Sequence, residues 1–185
     1  CFNNAIHLKM NNFPAMNNLA NSLKALSRMD SAEQMYLRAL KINPTYIHAL
    51  NNYGNLKQQI GDFNKAIELY KKALAIEPRQ INVLYSLSSS YQEVGDFKNS
   101  RECANKILEI DPNNTSAHKF ISGFVDYKNE KDHLKEMEQL INKENLTNEQ
   151  IIDLSFALGK AYEDVGEYEK SFKHLETGNK LKKDK

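Results

Sequence analysis

The sequence predicts an all-α fold, a right-handed α-solenoid (superhelix) of antiparallel helix pairs, and three observations carry that prediction. Pro44, Pro78 and Pro112 stand 34 residues apart. Small residues recur in the same frame, with Ala20, Gly54 and Ser88 at the eighth place of each block and Ala32, Ala66 and Ser100 at the twentieth. Midway through two of the blocks, Gly61-Asp62-Phe63 and Gly95-Asp96-Phe97 mark a tight turn. A pair of short helices has one apolar face and nothing to cover it, so blocks of this kind become stable only by stacking on one another.

The clearest block is 47–80, IHALNNYGNLKQQIGDFNKAIELYKKALAIEPRQ. Leu50, Tyr53, Gly54, Ala66, Tyr70, Ala73 and Leu74 fall at spacings of three, four and seven, which place them on one face of each helix. The pattern predicts helices from Ile47 to about Ile60 and from Phe63 to about Ala75. Gly61 is suited to the left-handed residue that ends the first, and Asp62 to the cap of the second. Blocks 13–46 and 81–114 repeat the plan. The fourth, 115–151, is irregular: Ala117, Ile121, Ser122 and Val125 supply a first helix, but no Gly-Asp-aromatic turn follows. A second helix is expected from His133 to Lys143, and the next first helix near Asn148, about three residues late. Leu158-Gly159, Ala161-Tyr162, Gly166-Glu167-Tyr168, Ser171 and Leu175 then restore the pattern over 152–185. Phe2, Ala5 and Ile6 project onto the places of Tyr36, Ala39 and Leu40, so 1–12 is expected to be the second helix of a truncated repeat and the chain a piece of a longer array.

Composition narrows the chemistry. Net charge is +1, with 26% charged residues, and no basic stripe interleaves with aromatics, so nucleic acid is not an expected partner. No run approaches a membrane span. Cys1 and Cys103 make no disulfide framework, and Cys103 beside Ala104 is expected to be a small buried hydrophobe, which suits a reducing, cytoplasmic setting. Phosphate-binding Gly-rich loops, HExxH, CxxC and Gly-x-Ser-x-Gly are all missing from the sequence. The five histidines, His7, His48, His118, His133 and His174, are widely spaced, with no pair at ligand spacing on one helix face. We therefore expect no catalytic residues, no metal and no cofactor.

This periodicity, with small residues at the eighth and twentieth places and Pro at the thirty-second, resembles the tetratricopeptide repeat (TPR) family over 13–114. The resemblance implies antiparallel TPR helix pairs whose first helices line a concave groove. Residues at the second, fifth, sixth, ninth, twelfth and thirteenth places point into it. In the first repeat these include Asn17, Asn18, Asn21 and Lys24. In the second they are His48, Asn51, Asn52, Asn55, Gln58 and Gln59, and in the third they include Asn82, Tyr85, Ser86, Ser89 and Gln92. An amide donates and accepts at once, so a row of amides can pair with the backbone of an extended peptide whatever its side chains. Asn is a mediocre helix former, and holding several on one stripe asks for a reason. We expect these side chains to be exposed, so that Asn18→Ala with Asn52→Ala would weaken a partner while leaving stability nearly unchanged.

Two further resemblances bear on function. The segments 17–24 and 51–58 are similar to repeats of O-linked N-acetylglucosamine transferase, whose sixth-place asparagines carry over to Asn18 and Asn52; Ser86, Phe120 and Ala157 interrupt that ladder here. Residues 133–183 are similar to a segment of bacterial TPR proteins that continue into a sulfotransferase domain. In chaperone-binding TPR domains a peptide C-terminus is held by a clamp of cations. This sequence keeps Asn21 and Asn52 at similar places but has Asn17 and Ser86 where the cations belong, so no clamp is expected. The first function expected is a protein-interaction scaffold for a protein or peptide segment. The second is a non-catalytic targeting or substrate-presenting arm of a larger transferase. The third is self-association through open array ends.

Overall fold

The computed structural model describes residues 12–183, and the reading of residues 1–11 as a truncated helix lies outside them. Ten helices and no strand are present among the described residues. In chain order they are α1 (Phe13–Ala25), α2 (Met29–Ile42), α3 (Ile47–Gln59), α4 (Phe63–Ile76), α5 (Ile81–Glu93), α6 (Phe97–Ile110), α7 (Thr115–Ser122), α8 (Asp132–Ile141), α9 (Asn148–Asp164) and α10 (Tyr168–Lys183). The chain divides into two compact units between Ser100 and Arg101, within α6.

In the first unit the helices pair as α1 with α2 and α3 with α4, while α3 packs on α2 and α5 on α4. Each pair closes through the same hydrogen-bonded motif. At the end of α3 the N–H of Asp62 reaches Lys57 O (2.8 Å) and that of Gly61 reaches Gln58 O (3.1 Å). That combination needs a left-handed residue, and Gly61 supplies it at φ 82°. Asp62 then accepts from Lys65 N at 3.2 Å and caps α4. The motif recurs at Gly95-Asp96, where Asp96 accepts from Asn99 N. In the first repeat it is kept by Ser27, a non-glycine residue at φ 57°, and Arg28 offers no side-chain cap to α2.

The small residues mark crossings where the helix pairs touch. A Cβ on Gly54 would lie 2.5 Å from the Tyr70 ring. Where the third repeat places serines instead, they bond each other: Ser88 and Ser100 hydroxyls are 2.9 Å apart, and the Ser100 hydroxyl also donates to Ser88 O at 2.9 Å. Between repeats, Tyr53 stacks on Tyr36 with ring centroids 6.0 Å apart and donates to Glu33 Oε1. Lys57 Nζ meets the same carboxylate at 2.8 Å. Burial alone would push Glu33 upward, but the bonds from Lys57 and Tyr53 hold its carboxyl below the usual range.

The second unit is built around Ile121, Val125, Tyr127, Leu134, Met137, Leu154, Leu158 and Tyr162. Its first helix, α7, has only eight residues. Without the glycine turn, the segment after it runs back through the core, burying Val125 and Tyr127 before α8 starts at Asp132. Thr147 and Gln150 form a capping box that starts α9 at Asn148. Gly166, at φ 82°, then restores the turn motif ahead of α10. Cys103 is buried, as its helical context predicted.

Candidate functional site

The amides on the first helices of unit one lie on neighbouring rods, since α3 packs beside both α1 and α5. They are not, however, a row of independent side chains. Asn17 is 4% exposed, and its amide is engaged on both sides: Asn52 Nδ2 donates to Asn17 Oδ1 at 3.0 Å, and Asn17 Nδ2 donates to Asn18 Oδ1 at 3.4 Å. Of the pair expected to stand free, Asn18 is exposed while Asn52 is half-buried and ties the second repeat to the first. The expectation that the double substitution would be thermodynamically silent is therefore corrected, because Asn52→Ala leaves a buried carbonyl unpaired.

Two tyrosines of the second helices reach through to the same face. Tyr36 OH donates to Asn21 Oδ1 at 2.5 Å. One repeat on, the Tyr70 hydroxyl is shared between Asn55 Oδ1 (2.7 Å) and Gln58 Oε1 (3.2 Å). Burial pushes the Tyr36 phenol up to about 12. Burial likewise pushes Tyr70 to about 12, against a hydrogen bond from Ser86 that acts in the other direction. Both phenols stay protonated across the physiological range and can only offer their hydrogen to these oxygens. Asn21 and Asn55, one repeat apart, thereby have their carbonyl oxygens engaged, which leaves Nδ2 as the donor of each amide. Gln58 is spent, because its Nε2 donates to Ser89 Oγ at 3.1 Å.

Asn51 is placed differently. Its Oδ1 is shut off from solvent with no donor among the described residues, although the residue as a whole is only half-buried. It borders a cleft of about 340 Å³ formed by the Asn43–His48 and Glu77–Val83 segments. Lys24 and Tyr85 are half-buried and Ser89 is exposed on the same helices. Of the ten residues read from the sequence, Asn17, Asn18 and Asn52 form one bonded group and Asn55, Gln58 and Ser89 another. Asn21 joins Tyr36 instead.

Sequence reasoning missed the tyrosines as members of this site. Their recurrence at the twenty-fourth place, 15 residues after Asn21 and Asn55, was the available signal. It also missed a buried chain in unit two, where α7 and α8 bring together histidines that looked unrelated. His118 Nε2 lies 3.0 Å from Pro112 O, His118 Nδ1 3.0 Å from His133 Nε2, and His133 Nδ1 2.7 Å from Tyr127 OH. Among the described residues no group of three or more His, Cys, Asp or Glu stands together as metal ligands. None of the described helices is long and apolar enough to cross a membrane.

Comparison with known proteins agrees with this architecture. Among curated proteins no relative matches. Among solved structures, MamA superposes with a TM-score of 0.70 at 19% identity, covering 89% of this chain and 95% of that one. YrrB, described as a TPR protein with an unusual peptide-binding site, superposes with a TM-score of 0.71 at 17% identity over 100% of this chain and 93% of that one. At these identities the likeness shows the shared fold. The tetratricopeptide repeat model matches residues 12–79 and 47–113, together more than half of the chain, and the frame it matches is the one that places the prolines, the crossings and the turn glycines. The chain belongs to the tetratricopeptide repeat family.

Proposed function

We propose that the amide face of α1, α3 and α5 holds an extended segment of another protein by its backbone. The observation that carries this reading is the orientation of the amides. Asn21 and Asn55 have their carbonyl oxygens engaged by buried phenols, which leaves their Nδ2 groups to act as donors. A peptide backbone offers a carbonyl at every residue and can accept from such donors without regard to its side chains. YrrB, which shares the fold at 17% identity, is described as peptide-binding, in keeping with this use of the scaffold. The test is selection of binders from a random peptide display library, followed by affinity measurement on Asn21→Ala/Asn55→Ala. Loss of tenfold or more, about 1.4 kcal/mol, is expected. Selected peptides that bind the variant as well as the parent overturn the reading.

A second reading, in which this array is the non-catalytic arm of a larger glycosyl- or sulfotransferase, rests on the likeness of 17–24, 51–58 and 133–183 to those proteins. Sequencing the complete gene tests it: an open reading frame with no transferase domain ends it. A cytoplasmic location belongs to the first reading and is checked by fractionation.

A further inference from the structure

Between α6 and α8 the second unit carries a cleft of about 620 Å³, lined by residues that fall between 105 and 143 and share nothing with the amide face. The irregular repeat bears on its shape. With ten residues against the fourteen of α6, α8 runs about 6 Å shorter than the helix across the cleft. The floor is apolar: Leu140 is 3% exposed, Leu108 is half-buried, and Pro112 adds its ring. His118 lines it too at 2% exposure. Both of its ring nitrogens are taken, by Pro112 O and His133 Nε2, so it lends the cleft ring carbon rather than a donor or acceptor.

Above this floor stand charges without counter-charges. Glu109 on α6 and Glu136 on α8 are exposed, and neither has a hydrogen-bond or ion-pair partner among the described residues. Cations near them are engaged elsewhere: Lys135 with Asp132 (3.2 Å), Arg101 with Glu130 (3.9 Å), and Lys143 of the lining with Asn113 Oδ1 (2.7 Å). Glu109 also stands in the last turn of α6, where the helix dipole disfavours a carboxylate and favours a cation beside it. Glu109 and Glu136 against Lys143 leave the lining net negative. We propose that this cleft seats a basic segment of another protein, with an arginine or lysine laid across it. The aliphatic stem covers Leu108 and Leu140 while the charged head reaches Glu109 or Glu136, so one side chain satisfies both the floor and the rim. An acidic segment would set like charge against both carboxylates.

Selection from a random peptide display library on the full chain, with counter-selection on Gln139→Trp, tests this. Gln139 is an exposed residue of the lining, so a bulky ring there fills the cleft while leaving the core alone, and counter-selection discards peptides that bind elsewhere. The surviving peptides are expected to carry Arg or Lys next to an apolar residue. Glu109→Gln/Glu136→Gln should weaken them about tenfold or more, and added salt should weaken the parent complex more than the variant's. Asn21→Ala/Asn55→Ala should leave their affinity unchanged, which separates this site from the amide face. Circular dichroism melting controls for folding, and Gln139→Tyr replaces the Trp variant if its melting falls. No peptide surviving counter-selection, survivors rich in Asp or Glu, or survivors that bind the double Gln variant as tightly as the parent would each overturn the proposal.

Discussion

Ser27 holds the left-handed turn position that glycine holds in the second, third and fifth repeats, with φ 57° and the same pair of backbone bonds. An L side chain in that region costs about 1 kcal/mol, so Ser27→Gly should stabilise the protein by roughly 0.5–1 kcal/mol, read as a raised urea midpoint with unchanged slope. Arg28→Asp, which would supply the cap that Asp62 and Asp96 provide in their repeats, should add about 1 kcal/mol more. An unchanged midpoint in both would show that this turn is not the strained point its geometry indicates. The amide face gives the opposite case. Tyr70→Phe removes the donor that fixes Asn55 while keeping the ring packed against Gly54, so it should lower stability by about 1 kcal/mol. If the oriented donor matters for binding, peptide affinity should fall more than an equal loss of stability elsewhere produces.

At the scale of the element, helices that follow the repeat frame were legible in the sequence and the irregular pair was legible only in outline. The turn after α3 could be read because Gly61 and Asp62 act through their own backbone and nearest neighbours. The same holds for Thr147 and Gln150 at the start of α9. The path between α7 and α8 could not be read that way, because Val125 and Tyr127 are placed by contacts with residues far along the chain. Nor could the partners of His118 and His133, which are 15 residues apart on different helices. In the chain they form, Pro112 O can only accept, so His118 donates through Nε2 and accepts at Nδ1. His133 must then donate through Nε2 and accept from Tyr127 at Nδ1. Burial, with the neighbouring His118 and Arg101, lowers His133 to about 4. In the unfolded chain an ordinary histidine takes up its proton near 6.5, so the folded state binds fewer protons between those values. Stability is accordingly complete above pH 6.5 and should decline as pH falls toward 4, by about 2 kcal/mol after allowance for the partial exposure of the ring. Urea melts of the parent and of His133→Gln across that window check this. The variant should be less stable at pH 7.5 but show a shallower decline, and parallel curves would remove His133 as the source.

For the whole molecule, the rhythm of the repeats over 13–114 could be read off the sequence, but the division into two units could not. The 34-residue frame runs through 13–114 without a break, whereas the units divide between Ser100 and Arg101, inside α6. That division follows from packing in the irregular repeat, where a buried return segment replaces a tight turn and gathers α7, α8 and α9 around a core of their own. In a repeat array each helix pair is stabilised by its nearest neighbours, so damage should spread only as far as those contacts reach. Gly54 and Gly159 provide matched probes, one in each unit. A Cβ on Gly54 meets the Tyr70 ring at 2.5 Å, and a Cβ on Gly159 meets Leu175 Cδ2 at 2.6 Å. Gly54→Leu should cost several kcal/mol, at the upper end of overpacking effects, since the closest atoms belong to a buried ring with no room to turn. Hydrogen exchange should then show α3 and α4 losing protection first, with α1, α2 and α5 following, while amides around Leu134, Met137, Leu154 and Leu158 keep theirs. Gly159→Leu should reverse the pattern, opening α9 and α10 and sparing α3 and α4. Uniform loss of protection in either variant would mean that the two units unfold as one cooperative body, and that a repeat's neighbours are not the limit of its influence.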